Sequence, residues 1–322
     1  MHSLLDLRFR PRANNKVLYY ARATFRELIP AAYFRFLRDR CLRTVERYPR
    51  SEIFDRVDYY NQVPGGFSLS DSASRIKDIS FKNSMHFFDL REFARYYDPE
   101  LRLDYLFGDV KFVPATPTIV KSRPISTDNA NAVVMKLGYN RHYFFPTDPY
   151  RFADKLPKAV WRGTPNNRLR TTLVHRYHAH PLCDVGQTRR GLPNLAWKPF
   201  MPVSGQLRYR YVLSVEGNDV ATNLKWIMAS NSLCLMPAPR METWFMEGRL
   251  VPGHHYVQLR NDFADLEENI LHYEQNPEEA GAIIANANAY AAQFRDYDRE
   301  RLISLLVLAK YFRRSGQLAG AG

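Results

Sequence analysis

Residues 211–237 read YVLSVEGNDVATNLKWIMASNSLCLMP. An apolar run over 211–215 stops at Glu216-Gly217-Asn218-Asp219. A helix-like stretch follows over 222–230, and a second apolar run, Leu233-Cys234-Leu235-Met236, ends at Pro237. Short strands alternating with helices predict a parallel sheet with helices on both faces, an α/β fold. The polar island after residue 215 then lies beyond the carboxyl end of a strand, where open α/β sheets bind ligands. Gly217 lets the backbone come close, Asn218, Thr222 and Asn223 offer neutral hydrogen bonds, and Lys225 adds positive charge. A helix start favours anions, so a phosphate or diphosphate suits the place. Glu216 and Asp219 repel a bare phosphate and suit sugar or ribose hydroxyls, or a helix cap in the case of Asp219. The plain alternative is a capped turn.

The same rhythm extends in both directions. Helix is expected over 167–178, strand over 182–185, loop over 186–203, and strand over 209–215 and 255–259. Asp262 or Asp265 can cap a following helix, Asn276-Pro277-Glu278-Glu279 starts another, and Asp298 can open the last, which Gly316 ends. Upstream, YLFGDVKFV, TPTIV, AVVMKL and AVWRG read as strands between turns, and residues 63–84 as a surface loop. Residues 16–48 read as two helices broken near Pro30, with Leu28, Tyr33, Phe36 and Leu37 on a buried stripe.

Two more strand ends carry polar clusters. Trp161-Arg162-Gly163-Thr164 follows an apolar run, with Arg168 and Arg170 close behind, and an arginine fork suits phosphate. Lys121-Ser122-Arg123 follows residues 118–120, and both cations are candidates for the wall of a substrate cleft. Asp109 sits between apolar runs in Phe107-Gly108-Asp109-Val110, where partial burial equips a carboxylate as a base. A turn aspartate is the competing reading. His178-Ala179-His180 and His254-His255 lack zinc spacing, and Asp296-Tyr297-Asp298 fits a helix cap better than a metal-bound nucleotide.

Composition bounds the rest. The chain has 322 residues, 20 Tyr, 20 Phe and a net charge of +13, enough for two domains with aromatic cores. Cys41, Cys183 and Cys234 are odd in number and widely spaced, so neither a disulfide framework nor a zinc site is expected. The start, MHSLLDLRFRPR, carries no secretory pattern, and no apolar run is long enough to span a bilayer. A cytoplasmic protein is expected, soluble or peripheral on the inner face of a membrane. Residues 1–50 hold twelve Lys/Arg against four Asp/Glu. Interleaved with aromatics, they make an anionic membrane surface or nucleic acid a candidate partner, and a solvated helix pair the alternative.

Four blocks, taken in order, resemble the family 90 glycosyltransferases: FGDVKFVPATPTIVKSRPI, VWRGT, EGNDVATNLKWIMASNSLCLMP with ETWFMEGRLVPGHHYV, and DFADLEENI. The wording EGNDVATNLKW and VKSRPI is most similar to the bacterial, lipopolysaccharide-core branch. The resemblance implies a GT-B arrangement, two Rossmann-like domains facing a cleft with helical N- and C-terminal segments. It implies a UDP-sugar donor, inversion at the anomeric carbon, and no metal or other cofactor. Asp109 aligns with the family's catalytic aspartate. Arg162, Gly163, Thr164, Glu216, Gly217, Asn218, Asp219, Thr222, Asn223 and Lys225 fall to the donor. Protein-modifying relatives carry arginine where this chain has Asn223, so Lys225 or Arg162 is expected to meet the diphosphate. The expected organisation is an acceptor-side domain over 1–155, a nucleotide-sugar domain over 156–300 and a C-terminal helix and tail over 301–322. The expected activity is sugar transfer to a saccharide or lipid-linked oligosaccharide, with a lipopolysaccharide core or related surface glycan as the expected acceptor. A basic nucleic-acid-binding protein and a degenerate glycosyltransferase fold acting as a binding module are the competing readings.

Overall fold

The computed structural model describes residues 16–319; the readings made on residues 1–15 and 320–322 lie outside the described residues. Along the chain, helices α1 (Lys16–Leu28), α2 (Ala31–Arg43) and α3 (Arg50–Tyr60) come first. Strand β1 (Ser74–Arg75), helix α4 (Ser84–Ala94) and strands β2 (Arg102–Leu103), β3 (Tyr105–Leu106), β4 (Thr118–Val120), β5 (Ser122–Pro124) and β6 (Ala132–Val134) follow. A short α5 (Tyr139–His142) leads to β7 (Leu156–Gly163), α6 (Arg168–Tyr177), β8 (Cys183–Gln187), α7 (Val203–Gln206) and β9 (Tyr209–Leu213). Then come α8 (Leu224–Ile227), β10 (Leu233–Pro237), β11 (Met241–Thr243) and β12 (Val257–Leu259). Helices α9 (Leu266–Gln275), α10 (Pro277–Ala292) and α11 (Tyr297–Arg314) close the chain. The architecture is mixed α/β with parallel sheets, as the strand–helix rhythm predicts.

The described residues fall into two compact units. One runs to Arg141 and takes in Glu242–Trp244 and the chain from Phe294 on, and the other comprises His142–Met241 and Phe245–Gln293.

In the second unit β12-β10-β9-β7-β8 form one sheet, every pairing parallel. Tyr211 and Leu213 point into a core with Trp161, Leu233, Leu235 and the α6, α9 and α10 side chains Leu173, Ile270 and Ile283. The intervening Val160, Val212 and Cys234 are equally buried. Burial on both faces explains why these strands read as unbroken apolar runs. Each such aliphatic side chain contributes about 1.5–3 kcal/mol when fully buried. Asn276 precedes a proline at the first turn of α10, as the sequence predicts. The helix expected over 222–230 contracts to the single turn of α8. Leu224 to Ser230 are all buried, so the stretch packs as an irregular coil without an exposed face.

The first unit is built around α11, which packs on α2, α3 and α4. Its sheets are small: β3-β4-β6 parallel, β1 antiparallel to β2, and β5 beside β11, whose Glu242 and Thr243 belong to this unit. Asp296, rather than Asp298, caps α11, accepting from the Arg299 amide at 3.1 Å. Glu300 is buried and gathers Arg56 at 2.6 Å, the Trp244 indole N–H at 2.6 Å and Lys136 at 3.4 Å. The Trp244 ring lies stacked on Tyr60 with centroids 3.8 Å apart. A small, partly open cavity nearby is lined by Tyr19, Arg26, Asp89, Lys136 and Tyr139. Its charges are matched internally: Arg26 pairs with Glu92 at 2.8 Å, and Asp89 accepts from the Tyr19 hydroxyl and the Gly138 and Tyr139 amides. Burial pushes the Asp89 carboxyl up to about 7.

The expected buried stripe on the N-terminal helices is corrected. Leu28, Tyr33 and Phe36 are exposed, and Tyr19, Ala23, Phe34 and Cys41 are the buried positions. An amphipathic period identifies two faces without saying which one meets the protein.

Candidate active site

β7 and β9 are neighbours in the parallel sheet, so the loops that leave their carboxyl ends emerge side by side. This brings together the two clusters VWRGT, which begins at Val160, and EGND, which begins at Glu216. Asn167 caps α6 through the Arg170 amide and donates to the Glu216 and Gly217 carbonyls at 2.8 and 2.9 Å. Arg170 spreads its guanidinium over the Val215, Glu216 and Thr164 carbonyls. Asn166 donates to Asn218 Oδ1 at 3.1 Å. The Gly217 amide donates to the Asp219 carbonyl, closing the turn.

Gly163 is sterically required here, and Gly217 sits in tight contact with the end of the Arg170 side chain. A Cβ at Gly163 would lie 2.6 Å from the Trp161 ring, and one at Gly217 would lie 3.0 Å from an Arg170 nitrogen. Asn167 and Arg170 are therefore the residues that shape the site. The signal that finds Asn167 is its capping position ahead of a helix; Arg170 shows in sequence only as one cation among several. Arg170→Ala is expected to release three carbonyls from charge-assisted bonds of about 1.5–3 kcal/mol each when well made. The measurement is thermal unfolding with and without nucleotide, and both stability and nucleotide affinity are expected to fall.

The structure redistributes the expected donor contacts. Arg162 turns sideways to Asp184 at 2.8 Å and to the Asp184 and Trp161 carbonyls, with its side chain 5% exposed. Asp184 also receives Lys198 and the Tyr209 hydroxyl, each at 2.7 Å. Burial would raise this carboxyl, but the bonds from Lys198, Tyr209 and Arg162 hold it at about 2. Lys225 is fully buried, its ammonium 2.5 Å from Glu247 and above the Phe245 ring. Both cations are thus engaged inside the fold. Asn223 donates to the Leu213 carbonyl at 2.9 Å and serves as a tie to β9. Glu216 accepts from the Arg240 and Met241 amides at 2.9 and 3.0 Å and from the Arg240 side chain at 3.1 Å. Asp219 is buried and Thr222 half-buried. The cationic heads that reach solvent at this edge are Arg168, on the first turn of α6, and Arg240, 66% exposed.

Beyond the ends of β9 and β10 lies a small, partly open pocket lined by Ser214, Glu216, Val220, Leu224, Met236 and Met241. The Ser214 hydroxyl is buried there without a hydrogen-bond partner. The pocket is a narrow apolar slot edged by one spare hydroxyl and by the Glu216 carboxylate that Arg240 and Met241 hold. Ser214, inside an apolar run, is invisible to motif reading.

In the first unit Asp109 stands on a tightly held loop. Gly108 has φ +113°, a conformation open to glycine, and its amide donates to His86 Nδ1 at 3.1 Å. Ser122 Oγ donates to the Val110 carbonyl at 3.0 Å, and Lys121 reaches Asp109 at 2.5 Å. Lys121 is buried, whereas the Asp109 side chain is 34% exposed. The arrangement is an oriented carboxylate open to solvent on one side, a geometry suited to taking a proton. Arg123 is placed differently from Lys121. It is fully buried, donating to Glu242 at 2.6 Å and to the Ala132 and Tyr59 carbonyls, and so braces the first unit instead of lining a substrate cleft.

Among the described residues no group of three His, Cys, Asp or Glu side chains is arranged to hold a metal, and no helix is long and apolar enough to cross a membrane. Cys41, Cys183 and Cys234 are buried as free thiols.

The family model described as glycosyl transferase family 90 matches residues 146–311. An O-glucosyltransferase LpsA of Dichelobacter nodosus is 47% identical over 303 residues, which is 92% of this chain and 95% of that protein. Protein O-glucosyltransferase 3 of Homo sapiens is 27% identical over 168 residues, half of this chain and 33% of the human protein. The rat protein of the same name is 28% identical over the same length. The family match takes in both loops of the second-unit site and leaves Asp109 outside.

Proposed function

The chain belongs to glycosyl transferase family 90 and is a glycosyltransferase; from that premise we propose that it moves a sugar from a UDP-sugar to a saccharide acceptor with inversion. The observation that carries the reading is the convergence of the β7 and β9 loops, tied by Asn167 and Arg170, on a glycine turn beside an apolar pocket. The second unit takes the donor, and the first supplies the acceptor side and its base, the division of labour of a GT-B enzyme. Glucose is the first sugar to test, since the bacterial relative is named an O-glucosyltransferase. A lipopolysaccharide core or related surface glycan is the acceptor class.

Inversion requires a single displacement. Asp109 takes the proton of the acceptor hydroxyl as its oxygen bonds to the anomeric carbon. The bond from that carbon to the diphosphate oxygen breaks on the opposite side, and UDP departs as the anion. Arg168 and Arg240 meet its charge with the amides of the α6 first turn, so no metal is required. Arg162 and Lys225 keep the sheet edge in shape from inside.

Arg240→Ala is expected to weaken UDP binding by about tenfold or more, the loss of one charge-assisted contact, read by calorimetric titration. The reading as a whole is tested by incubating the chain with UDP-glucose, a core oligosaccharide and EDTA. A product with the anomeric configuration opposite to the donor supports it; a retained configuration, or transfer abolished by EDTA, contradicts it.

A further inference from the structure

Helix α1 carries an apolar face outward as well as a buried one inward. Its polar side chains face the protein: Arg26 pairs with Glu92 at 2.8 Å, Glu27 with Arg91 at 2.9 Å and with Arg95, and the Tyr19 hydroxyl reaches Asp89. Tyr19 and Ala23 are buried on that side too, and a second set of side chains, largely apolar, faces out. Val17, Ala21, Thr24 and Leu28 recur at helical spacing on one exposed face, with Leu18 and Phe25 beside them. Val17 is 79% exposed and Leu28 75%. On α2 Phe36 is 81% exposed, and Arg40 and Arg43 follow it on the same outward face, four and seven residues on. An ordered apolar face of this kind on a protein surface marks a contact made elsewhere.

Charge decides what the contact is. Residues 16–50 hold nine Lys/Arg against three Asp/Glu. A second copy of the chain would set two strongly basic surfaces against each other, and residues 1–15, with Arg8, Arg10 and Arg12 against Asp6, would add to the excess. A surface that is apolar within and negative at its rim satisfies both features at once. We propose that the outward faces of α1 and α2 dock on an anionic lipid bilayer, with Val17, Phe25, Leu28 and Phe36 entering the headgroup boundary and Arg40 and Arg43 meeting lipid phosphates. Helices of this kind lie in the interface plane and bind through buried apolar area together with attraction to anionic lipid. The acceptor class proposed above is lipid-linked, but the docking surface stands on the first unit's own geometry and needs no sugar chemistry to test.

The experiment is co-sedimentation of the full chain with vesicles of phosphatidylcholine, with and without phosphatidylglycerol. Partitioning is expected to rise by about tenfold or more with the anionic lipid and to fall with added salt. Phe25→Glu combined with Leu28→Glu is expected to abolish it while leaving the melting temperature and the response to UDP unchanged, because neither side chain supports the fold. Equal binding to both vesicle types, or undiminished binding of the double variant, overturns the proposal. So does a dimer in sedimentation equilibrium that the double variant dissociates, which would assign the face to a second copy. Loss of binding on deleting residues 1–15 alone also overturns it.

Discussion

Asp109→Asn is expected to lower the rate of sugar transfer by about 10²–10⁴-fold, the range that a positioned general base contributes, and to leave UDP affinity unchanged. Asparagine keeps the size and shape of the side chain, so the loop held by Gly108, Val110 and Lys121 persists. What it loses is the capacity to accept the proton of the attacking hydroxyl. Initial rates with UDP-glucose and nucleotide titration of the same preparation check both halves. A variant that transfers at the wild-type rate removes Asp109 from the chemistry. Equal loss of UDP binding assigns it a structural role.

Glu300→Gln is expected to destabilise the first unit by about 3–5 kcal/mol at neutral pH, the cost of removing one partner from a buried charge cluster. Arg56 and Lys136 would keep their charges inside the protein with one neutral amide to share. Burial would raise the Glu300 carboxyl, but Arg56 and Lys136 outweigh it and hold it at about 2. The unfolded chain titrates this group near its ordinary value of about 4.3. Because the folded value is the lower one, the stabilisation is complete above about 4.3 and is lost as pH falls towards 2. Urea unfolding of both proteins should therefore give curves far apart at pH 7 that draw together only as pH falls from about 4 towards 2. Separation independent of pH would show that Glu300 acts through packing alone.

The second unit was largely legible in sequence, and the reasons are local. Strands buried on both faces show as apolar runs, and Gly163, Gly217 and Asn276-Pro277 mark where they and the helices stop. Strand ends alone point to the two polar loops that the sheet brings together. The contacts within them do not show in sequence, because pairing partners are set by the fold. Arg162 meets Asp184 only because β7 and β8 lie side by side, and Lys225 meets Glu247 across 22 residues of chain. Sequence shows a cation near a glycine turn but not the carboxylate that has already claimed it. Length misled in one place: the stretch after β9 has helical composition over nine residues and makes a single turn, since its side chains are buried all round. In the first unit the strands of two or three residues left little pattern to read, and the outward apolar face of α1 reversed the usual rule.

The most direct test of the account is thermal unfolding of the full chain against UDP, with GDP and TDP as controls. A donor site in the second unit predicts selective stabilisation by UDP, reaching about 2.7 kcal/mol at a hundredfold excess over the dissociation constant. Arg240→Ala should shift the same curve to higher UDP. A melting temperature that millimolar UDP leaves unmoved, or that all three nucleotides raise alike, would contradict the account.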